Sequence, residues 1–274
     1  MRGNRKIIPG YSFTLGVTFF YLSLILLIPL AAFVLYASGM GWAKFWAEIA
    51  DFRVFHAYAI SFGCALAAAL VNAVFGLLIA WVLVRYDFPG KRILDGLIDL
   101  PFALPTAVAG IALTTLYAEN GWLGRYFYAA GFPSAFSVLG ITIALIFVGI
   151  PFVTRSVQPV LRDLDPQLEE AARMLGADER RTFWSVIFPE LVPPLLTGFA
   201  LAFARGIGEY GSVVFIAGNL PYATEIAPLL IMAKLEQFDY QAAAAIAIVL
   251  MGLSFAILLG INGYQRYRMR KMGV

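Results

Sequence analysis

The stretch Val54 to Val84, VFHAYAISFGCALAAALVNAVFGLLIAWVLV, contains no Lys, Arg, Asp or Glu. A helix needs about 20 consecutive apolar residues to cross the hydrocarbon core of a bilayer. This stretch exceeds that length, and it is bounded by Arg53 on one side and Arg85 on the other. Its pattern therefore predicts a membrane-spanning helix over residues 57–84.

Similar apolar windows recur along the whole chain of 274 residues, of which 61% are hydrophobic and 14% charged. Soluble domains average about 25% charged residues, so the composition is that of a membrane protein. The windows predict a single all-α, polytopic membrane domain covering residues 1–274. Its six predicted transmembrane helices lie at about 12–38, 57–84, 99–118, 138–154, 194–217 and 241–263. The segment 155–192 is too polar to cross and is predicted to be a cytoplasmic loop.

The distribution of Lys and Arg predicts the orientation of these spans, because short loops rich in basic residues stay in the cytoplasm. The N-terminus, the loop 85–97, the loop 155–192 and the C-terminal tail together hold 15 of the 20 basic residues. The loops on the opposite side hold four, and Arg205 lies inside a predicted span. Both termini are therefore expected to face the cytoplasm.

Several kinds of chemistry are disfavoured by composition. One cysteine and one histidine cannot form a disulfide framework or a multi-histidine site, so no metal site is expected. The net charge of +3 implies no nucleic-acid partner. The phosphate-binding pattern G-x-x-x-x-G-K-[ST] does not occur in the sequence, so the chain is not expected to be an ATP-hydrolysing enzyme.

The loop 155–192 has the punctuation of two short helices. Asp165 followed by Pro166 is typical of a helix start, and Gly176 is typical of its end. Leu168, Ala171, Ala172 and Leu175 recur at helical spacing and predict one apolar stripe. A second helix is predicted from Asp178 to a break at Pro189. Two interpretations stay open: a linker lying on its own bilayer, or an element that docks a cytoplasmic partner.

Arg205 and Glu209 lie inside the fifth predicted span, where an ionised side chain facing lipid would cost several kcal/mol. They are four residues apart, so they share one helix face and can form an ion pair. One interpretation is that the pair is only an internal brace. The other is that Arg205 and Glu209 lie on the pathway along which an anion crosses the membrane, or at its gate. Gly206, Gly208 and Gly211 around the pair favour local unwinding or close contact between helices.

The third predicted span opens with two prolines, Pro101 and Pro105, which lack backbone donors and leave upstream carbonyls unpaired. One interpretation is a simple helix start. The other is a break that contributes to an inner gate, because the free N–H groups of a helix N-terminus suit oxyanions.

The loop residues resemble a known motif. Glu170-Ala171-Ala172, Gly176 and the run Val186-Ile187-Phe188-Pro189 match the spacing of the EAA loop of ABC importer permeases. Val186 and Phe188 depart from the Ile and Leu that the family favours, and both remain apolar. Outside the loop, several stretches are similar to permease subunits of bacterial sulfate/thiosulfate importers. These stretches are Asp99 to Gly110, Gly208-Glu-Tyr-Gly211, Phe215 to Asn219 and Leu235 to Tyr240.

The resemblance implies the fold of a type I ABC importer permease in the bacterial cytoplasmic (inner) membrane. It assigns ATPase coupling to Glu170, Ala171, Ala172, Gly176 and Pro189. It also implies four further subunits besides the lipid bilayer: a homologous second permease, two ABC ATPase copies that bind ATP and Mg, and an extracytoplasmic sulfate/thiosulfate-binding protein.

The resemblance implies import of sulfate or thiosulfate, with molybdate or tungstate as the alternative cargo. A remote alternative is a stand-alone secondary transporter. A transporter of that class would work without an ATPase and usually contains inverted repeats, which the sequence does not display.

Overall fold

The computed structural model describes residues 10–272, with side chains described for residues 10–263. Throughout that part of the chain the regular secondary structure is helical. The helices are α1 Tyr11–Ser38, α2 Trp42–Ile49, α3 Phe52–Arg85, α4 Lys91–Ile98, α5 Leu100–Ala103, α6 Thr106–Tyr117, α7 Gly124–Ala129, α8 Val138–Asp163, α9 Pro166–Met174, α10 Glu179–Ile207, α11 Val213–Ile216, α12 Ala227–Glu236 and α13 Tyr240–Met272. The fold is therefore all-α, as the sequence predicts.

Five helices in the described part of the chain are long and apolar enough to cross a membrane: α1, α3, α8, α10 and α13. The third predicted span, 99–118, differs from the prediction because it is split into α5 and α6. Leu104 adopts an extended conformation with ψ of 137°, and Pro105 follows it. Proline disfavours a helical conformation in the residue before it, so the helix breaks there. The 12 residues of α6 rise about 18 Å, which is short of a bilayer core of about 30 Å.

Helices α8 and α10 both extend beyond the predicted spans 138–154 and 194–217 into the polar segment. The predicted helix break at Pro189 is wrong, since α10 runs through it from Glu179 to Ile207. A π-helical turn, Phe183–Ile187, ends two residues before this proline, and the Phe188 N–H donates to the Phe183 carbonyl. The backbone hydrogen bonds of the helix already change register at that turn, so the helix tolerates the absence of an N–H donor at Pro189.

The predicted fifth span also ends earlier than 217. Helix α10 stops at Ile207, residues 208–212 are irregular, and the short helix α11 follows. The Glu209 carboxylate accepts a hydrogen bond from the Ser212 N–H at 2.9 Å, and such side-chain bonds compete with the helical ladder. The unwinding expected from the glycines around Glu209 is thus confirmed.

Helices α3, α8 and α10 pack together as the centre of the molecule. The buried face of α3 is made mainly of small residues, which let helix backbones approach closely within a bilayer. These residues are Ala57, Cys64, Ala65, Ala68, Ala69, Gly76 and Ala80. The start of α1, Tyr11–Leu22, buries no residue against the rest of the chain. The tight packing therefore lies around the three central helices, which carry the charged clusters described below.

Candidate coupling and translocation sites

Helix α9 begins as the sequence predicts. The Asp165 carboxylate accepts the Gln167 N–H at 2.9 Å, and Pro166 occupies the first turn. Glu169, also in the first turn, forms an ion pair with Arg85 at the end of α3. A carboxylate near a helix N-terminus is favourable, and this one also ties α9 to a central helix.

The end of α9 is a glycine cap. Gly176 has a φ of +82°, a left-handed conformation that L side chains rarely adopt. Its N–H donates to the Arg173 carbonyl at 2.9 Å, and the Ala177 N–H donates to the Ala172 carbonyl at 3.0 Å. Together these bonds form a Schellman motif, which pairs carbonyls that the helix itself leaves free. The cap fixes where α9 stops and how it is presented.

The predicted apolar stripe of α9 is divided by the structure. Ala172 is buried against its own chain, whereas Leu168 and Ala171 are exposed and Leu175 is 89% exposed. Met174, which sequence reasoning did not select, is 90% exposed. Its position three residues after Ala171 is the signal that could have identified it. The surface that α9 offers to another molecule is thus Leu168, Ala171, Met174 and Leu175, with Glu170 beside it.

Arg205 and Glu209 form an ion pair, as their spacing allows. The Glu209 side chain is 1% exposed and that of Arg205 is 37% exposed. The N–H and the hydroxyl of Ser212 both donate to Glu209 Oε1, at 2.9 and 2.8 Å. Both carboxylate oxygens therefore have partners, and the buried charge is compensated.

The structure brings together two irregular segments, one around Pro105 and one after Glu209. An ideal Cβ on Gly211 would lie 2.1 Å from Thr106 Oγ1, and one on Gly110 would lie 2.5 Å from the Ser212 carbonyl oxygen. The start of α6, directly after Pro105, therefore packs against the loop that follows Glu209. We call this contact, residues 104–110 against 208–212, the paired break.

Pro101 lies in the short helix α5, between the paired break and a charged cluster. Pro105 is the residue before α6, and no side chain caps the first N–H groups of that helix. The break and the helix start that the sequence left as alternatives thus occur together.

The charged cluster centres on Arg155 of α8 and was missed by sequence reasoning. Its guanidinium donates to both carboxylate oxygens of Asp99, at 2.9 and 2.6 Å, and to Asp95 at 2.6 Å. It also donates to Gln158 Oε1 at 2.6 Å, and the Gln158 amide donates to Asp95 at 3.2 Å. The hydrogen bond from Arg155 to Asp95 is the main reason why the pKa of the Asp95 carboxyl lies below its ordinary value. We call Arg155, Asp95, Asp99 and Gln158 the Arg155 cluster.

Sequence reasoning also missed an ion pair at the start of α3. Arg53 donates two hydrogen bonds to Glu225, at 2.7 and 2.6 Å, and the Glu225 side chain is 2% exposed. These residues are 172 positions apart, so no local sequence pattern could have joined them. The pair ties the loop before α12 to the start of α3.

The sequence is similar to a known protein family and to named members of it. The model of the family "Binding-protein-dependent transport system inner membrane component" matches residues 72–271. The sulfate transport system permease protein CysT of Salmonella typhimurium is 46% identical over 271 residues, which is 98% of each chain. The protein of the same name from Synechocystis sp. is 51% identical over 254 residues, or 93% of this chain and 89% of that protein.

Solved structures agree on the fold. A bacterial ABC transporter involved in the import of the acidic polysaccharide alginate gives a TM-score of 0.76 at 14% identity, covering 94% of each chain. The MetNI methionine ABC transporter in an inward-facing conformation gives 0.57 at 15% identity, covering 78% of this chain and 94% of that one. The family model covers most of this chain and the relatives nearly all of it, so the protein belongs to the family of binding-protein-dependent transport system inner membrane components.

Proposed function

We propose that this chain is a transmembrane permease subunit of an ATP-driven ABC importer that carries sulfate or thiosulfate across the bacterial inner membrane. One observation carries the proposal: relatives named sulfate transport system permease proteins share 46% and 51% of its residues over nearly the whole chain. The expected mechanism is alternating access, in which a pathway opens in turn to either side of the membrane.

The proposed topology has six crossings in one domain, with both termini in the cytoplasm. Helices α5 and α6 together would make the third crossing, in addition to the five long helices. Fifteen of the 20 basic residues then lie on the cytoplasmic side, in agreement with the positive-inside tendency.

We assign coupling to the cytoplasmic segment around α9. Glu170, Ala171 and the protruding Met174 and Leu175 would contact the ATPase, which binds ATP and Mg on its own chain. Ala172 would act from inside, by seating α9 against the permease. Gly176 holds the end of α9 in place through its left-handed φ, and Pro189 lies in the long helix α10 that continues toward the buried pair.

We place the anion pathway or its gate at the paired break and the residues just before it. Pro105 and Glu209 lie within the paired break, and Pro101 and Arg205 precede its two segments. Arg205 is the partly exposed member of its pair, so its guanidinium can attract an oxyanion while Glu209 stays buried. Uncapped N–H groups at the start of α6 would add donors, because helix N-termini favour anions.

The implied assembly contains a second, homologous permease, two ABC ATPase subunits and an extracytoplasmic anion-binding protein. The relative that imports alginate has been solved in complex with an alginate-bound periplasmic protein. The same arrangement would deliver sulfate to the outer face of the present chain.

The test is reconstitution of the permease pair in proteoliposomes with its ATPase and its sulfate-binding protein. We expect uptake of radiolabelled sulfate that requires ATP and the binding protein. Uptake of molybdate in place of sulfate would support the alternative cargo. Sulfate uptake without any ATPase would contradict the proposal and support a secondary transporter.

A further inference from the structure

An apolar groove opens on the surface where the end of α3 meets the start of α10. Its volume is about 400 Å³. Five of the seven residues lining it are apolar or aromatic, and a glutamate and an arginine complete it. The lining residues are Leu77, Leu78, Trp81, Glu179, Arg180, Phe183 and Trp184.

A polar recess of about 460 Å³ adjoins this groove. Arg180 and Trp184 line both spaces, so the apolar and polar compartments lie side by side at these two residues. The remaining residues of the recess are Gly176, Asp178, Arg181 and Ser185. An occupant that fills both compartments must itself have an apolar part and a polar part.

The charges at the junction favour an anionic polar part. Arg180 and Arg181 form no ion pair with any side chain among residues 10–263. The Asp178 carboxylate already accepts the Arg181 N–H at 2.7 Å as the helix cap. Glu179 is the one acidic residue that lines the apolar groove itself. The guanidinium groups of Arg180 and Arg181 can therefore each bind a phosphate group through paired N–H donors.

The apolar groove has a well-ordered aromatic wall. Ring centroids of Trp81 and Phe183 lie 5.2 Å apart, those of Phe183 and Trp184 5.1 Å, and those of Trp184 and Phe188 4.9 Å. All three pairs meet edge to face, which is a favoured arrangement of aromatic rings. The wall is thus built by mutual contacts of the protein, and an occupant need not create it.

The groove continues along α3 as a strip of exposed apolar residues at a spacing of four. These are Leu66, Leu70, Val74 and Leu78, whose exposed fractions lie between 46% and 58%. Leu78 is seven residues before Arg85, or about 10 Å along the helix axis. The groove therefore lies near the charged end of α3, and the strip leads from it toward the middle of the membrane.

We propose that this groove and recess form a binding site for an anionic phospholipid of the leaflet nearest α9. Arg180 and Arg181 would hold the lipid phosphate, and one acyl chain would run over Trp184 and Leu78 and along the strip of α3. Basic pockets between membrane helices on the cytoplasmic side are suited to such head groups. Since Asp178 and Gly176 belong to both the recess and the cap region of α9, bound lipid would brace the coupling segment.

The test uses the complete transporter purified in detergent and titrated with phosphatidylglycerol while native mass spectrometry counts bound lipids. We expect about fivefold weaker retention in Arg180→Gln or Arg181→Gln and about thirtyfold weaker retention in the double variant. Arg92→Gln, an exposed change on α4 at a residue that lines neither the groove nor the recess, should retain lipid as the native protein does.

Two further measurements make the proposal refutable. A photoactivatable phosphatidylglycerol should label Leu78→Cys, and 10-fold excess phosphatidylcholine should not compete. Equal lipid retention by the double variant would overturn the proposal, as would crosslinking of Leu78→Cys to the second permease in place of lipid. Displacement of the lipid by inorganic phosphate or glycerol phosphate alone would also overturn it, because the site would then recognise a free anion.

Discussion

Two arginine–carboxylate groups of this protein differ in how they are built. Arg205 and Glu209 lie four residues apart, at the end of one helix and just beyond it, and the Glu209 side chain is 1% exposed. Arg155 joins α8 to Asp95 and Asp99, which are 60 and 56 residues away, with side chains that are 37% and 47% exposed. The first pair compensates a buried charge. The second holds α4 and the start of α5 against α8, directly before the paired break.

The difference in burial sets the expected cost of disruption. A carboxylate that loses its cation inside a protein is strongly destabilising, because it cannot exchange the cation for water. A half-exposed carboxylate regains water when its partner is removed, so its loss costs much less. This contrast sets the expected effects at Arg205, Arg155 and Asp95, and a glycine substitution tests the packing of the paired break; the largest effect comes first.

Arg205→Gln should destabilise the protein by about 3 kcal/mol, because it leaves the buried Glu209 carboxylate without a cation. The thermal unfolding midpoint in detergent and sulfate uptake in proteoliposomes should both fall. The Arg205→Gln/Glu209→Gln double variant removes the charge as well as the pair and should recover most of the stability.

The double variant also separates a brace from a pathway. If Arg205 lies on the anion pathway, transport stays low in the double variant although folding recovers. Normal uptake at normal expression would leave the pair with the role of a brace only.

Gly211→Ala should cost about 2 kcal/mol by overpacking the paired break, since the added Cβ would meet Thr106 Oγ1 at 2.1 Å. Gly208→Ala is the matched control, because a Cβ at position 208 has open space around it. Thermal unfolding of the two variants should differ clearly. Equal stability would mean that residues 104–110 and 208–212 do not pack as described.

Arg155→Lys should have a smaller effect, about 1 kcal/mol, because the cluster is half exposed and lysine keeps the charge. Lysine lacks the planar fork by which the Arg155 guanidinium binds both oxygens of Asp99 while it also reaches Asp95, so α4 should loosen. Hydrogen exchange of amides in α4 should increase by about fivefold relative to the native protein, with α9 unchanged as the internal control. Unchanged exchange in α4 would show that the cluster does not hold this helix.

The smallest effect is a pH dependence carried by Asp95. Its folded-state pKa is lowered, chiefly by the hydrogen bond from Arg155, so its contribution to stability is present above the ordinary Asp pKa of about 3.9. That contribution is lost as the pH falls below 3.9 through the lower folded pKa. Asp95→Asn should therefore lose stability relative to the native protein at pH 7 and match it more closely at the lowest pH that preserves the fold. A difference that stays constant with pH would contradict this account.

The helix α9 shows how far local rules reach. Asp165, Pro166 and Gly176 mark its ends in the sequence, and the structure confirms that it begins at Pro166 and is capped by Gly176. Capping depends on residues within one turn of each other, so spacing alone reveals it. The face of α9 that is buried could not be predicted, because Ala171 and Ala172 are chemically identical and only the packing distinguishes them.

The long helices also show what sequence patterns can and cannot predict. Continuous apolar windows predict α1, α3 and α13 well, since a bilayer demands length and hydrophobicity from any helix that crosses it. Pro189 was expected to end a helix, yet α10 passes through it after a π-helical turn. Proline removes one donor, and whether the chain can absorb that loss depends on the backbone around it.

By itself the sequence determined the all-α membrane fold, most of the long spans, the ends of α9 and the placement of Arg205 and Glu209 one helical turn apart. These features depend on hydrophobic length or on neighbours within four residues, which are already set along the chain. Only the tertiary structure decided that the two breaks meet, that Arg155 holds Asp95 and Asp99, and that Arg53 holds Glu225. Such contacts join residues 56 to 172 positions apart, so helix packing creates them and no local pattern records them.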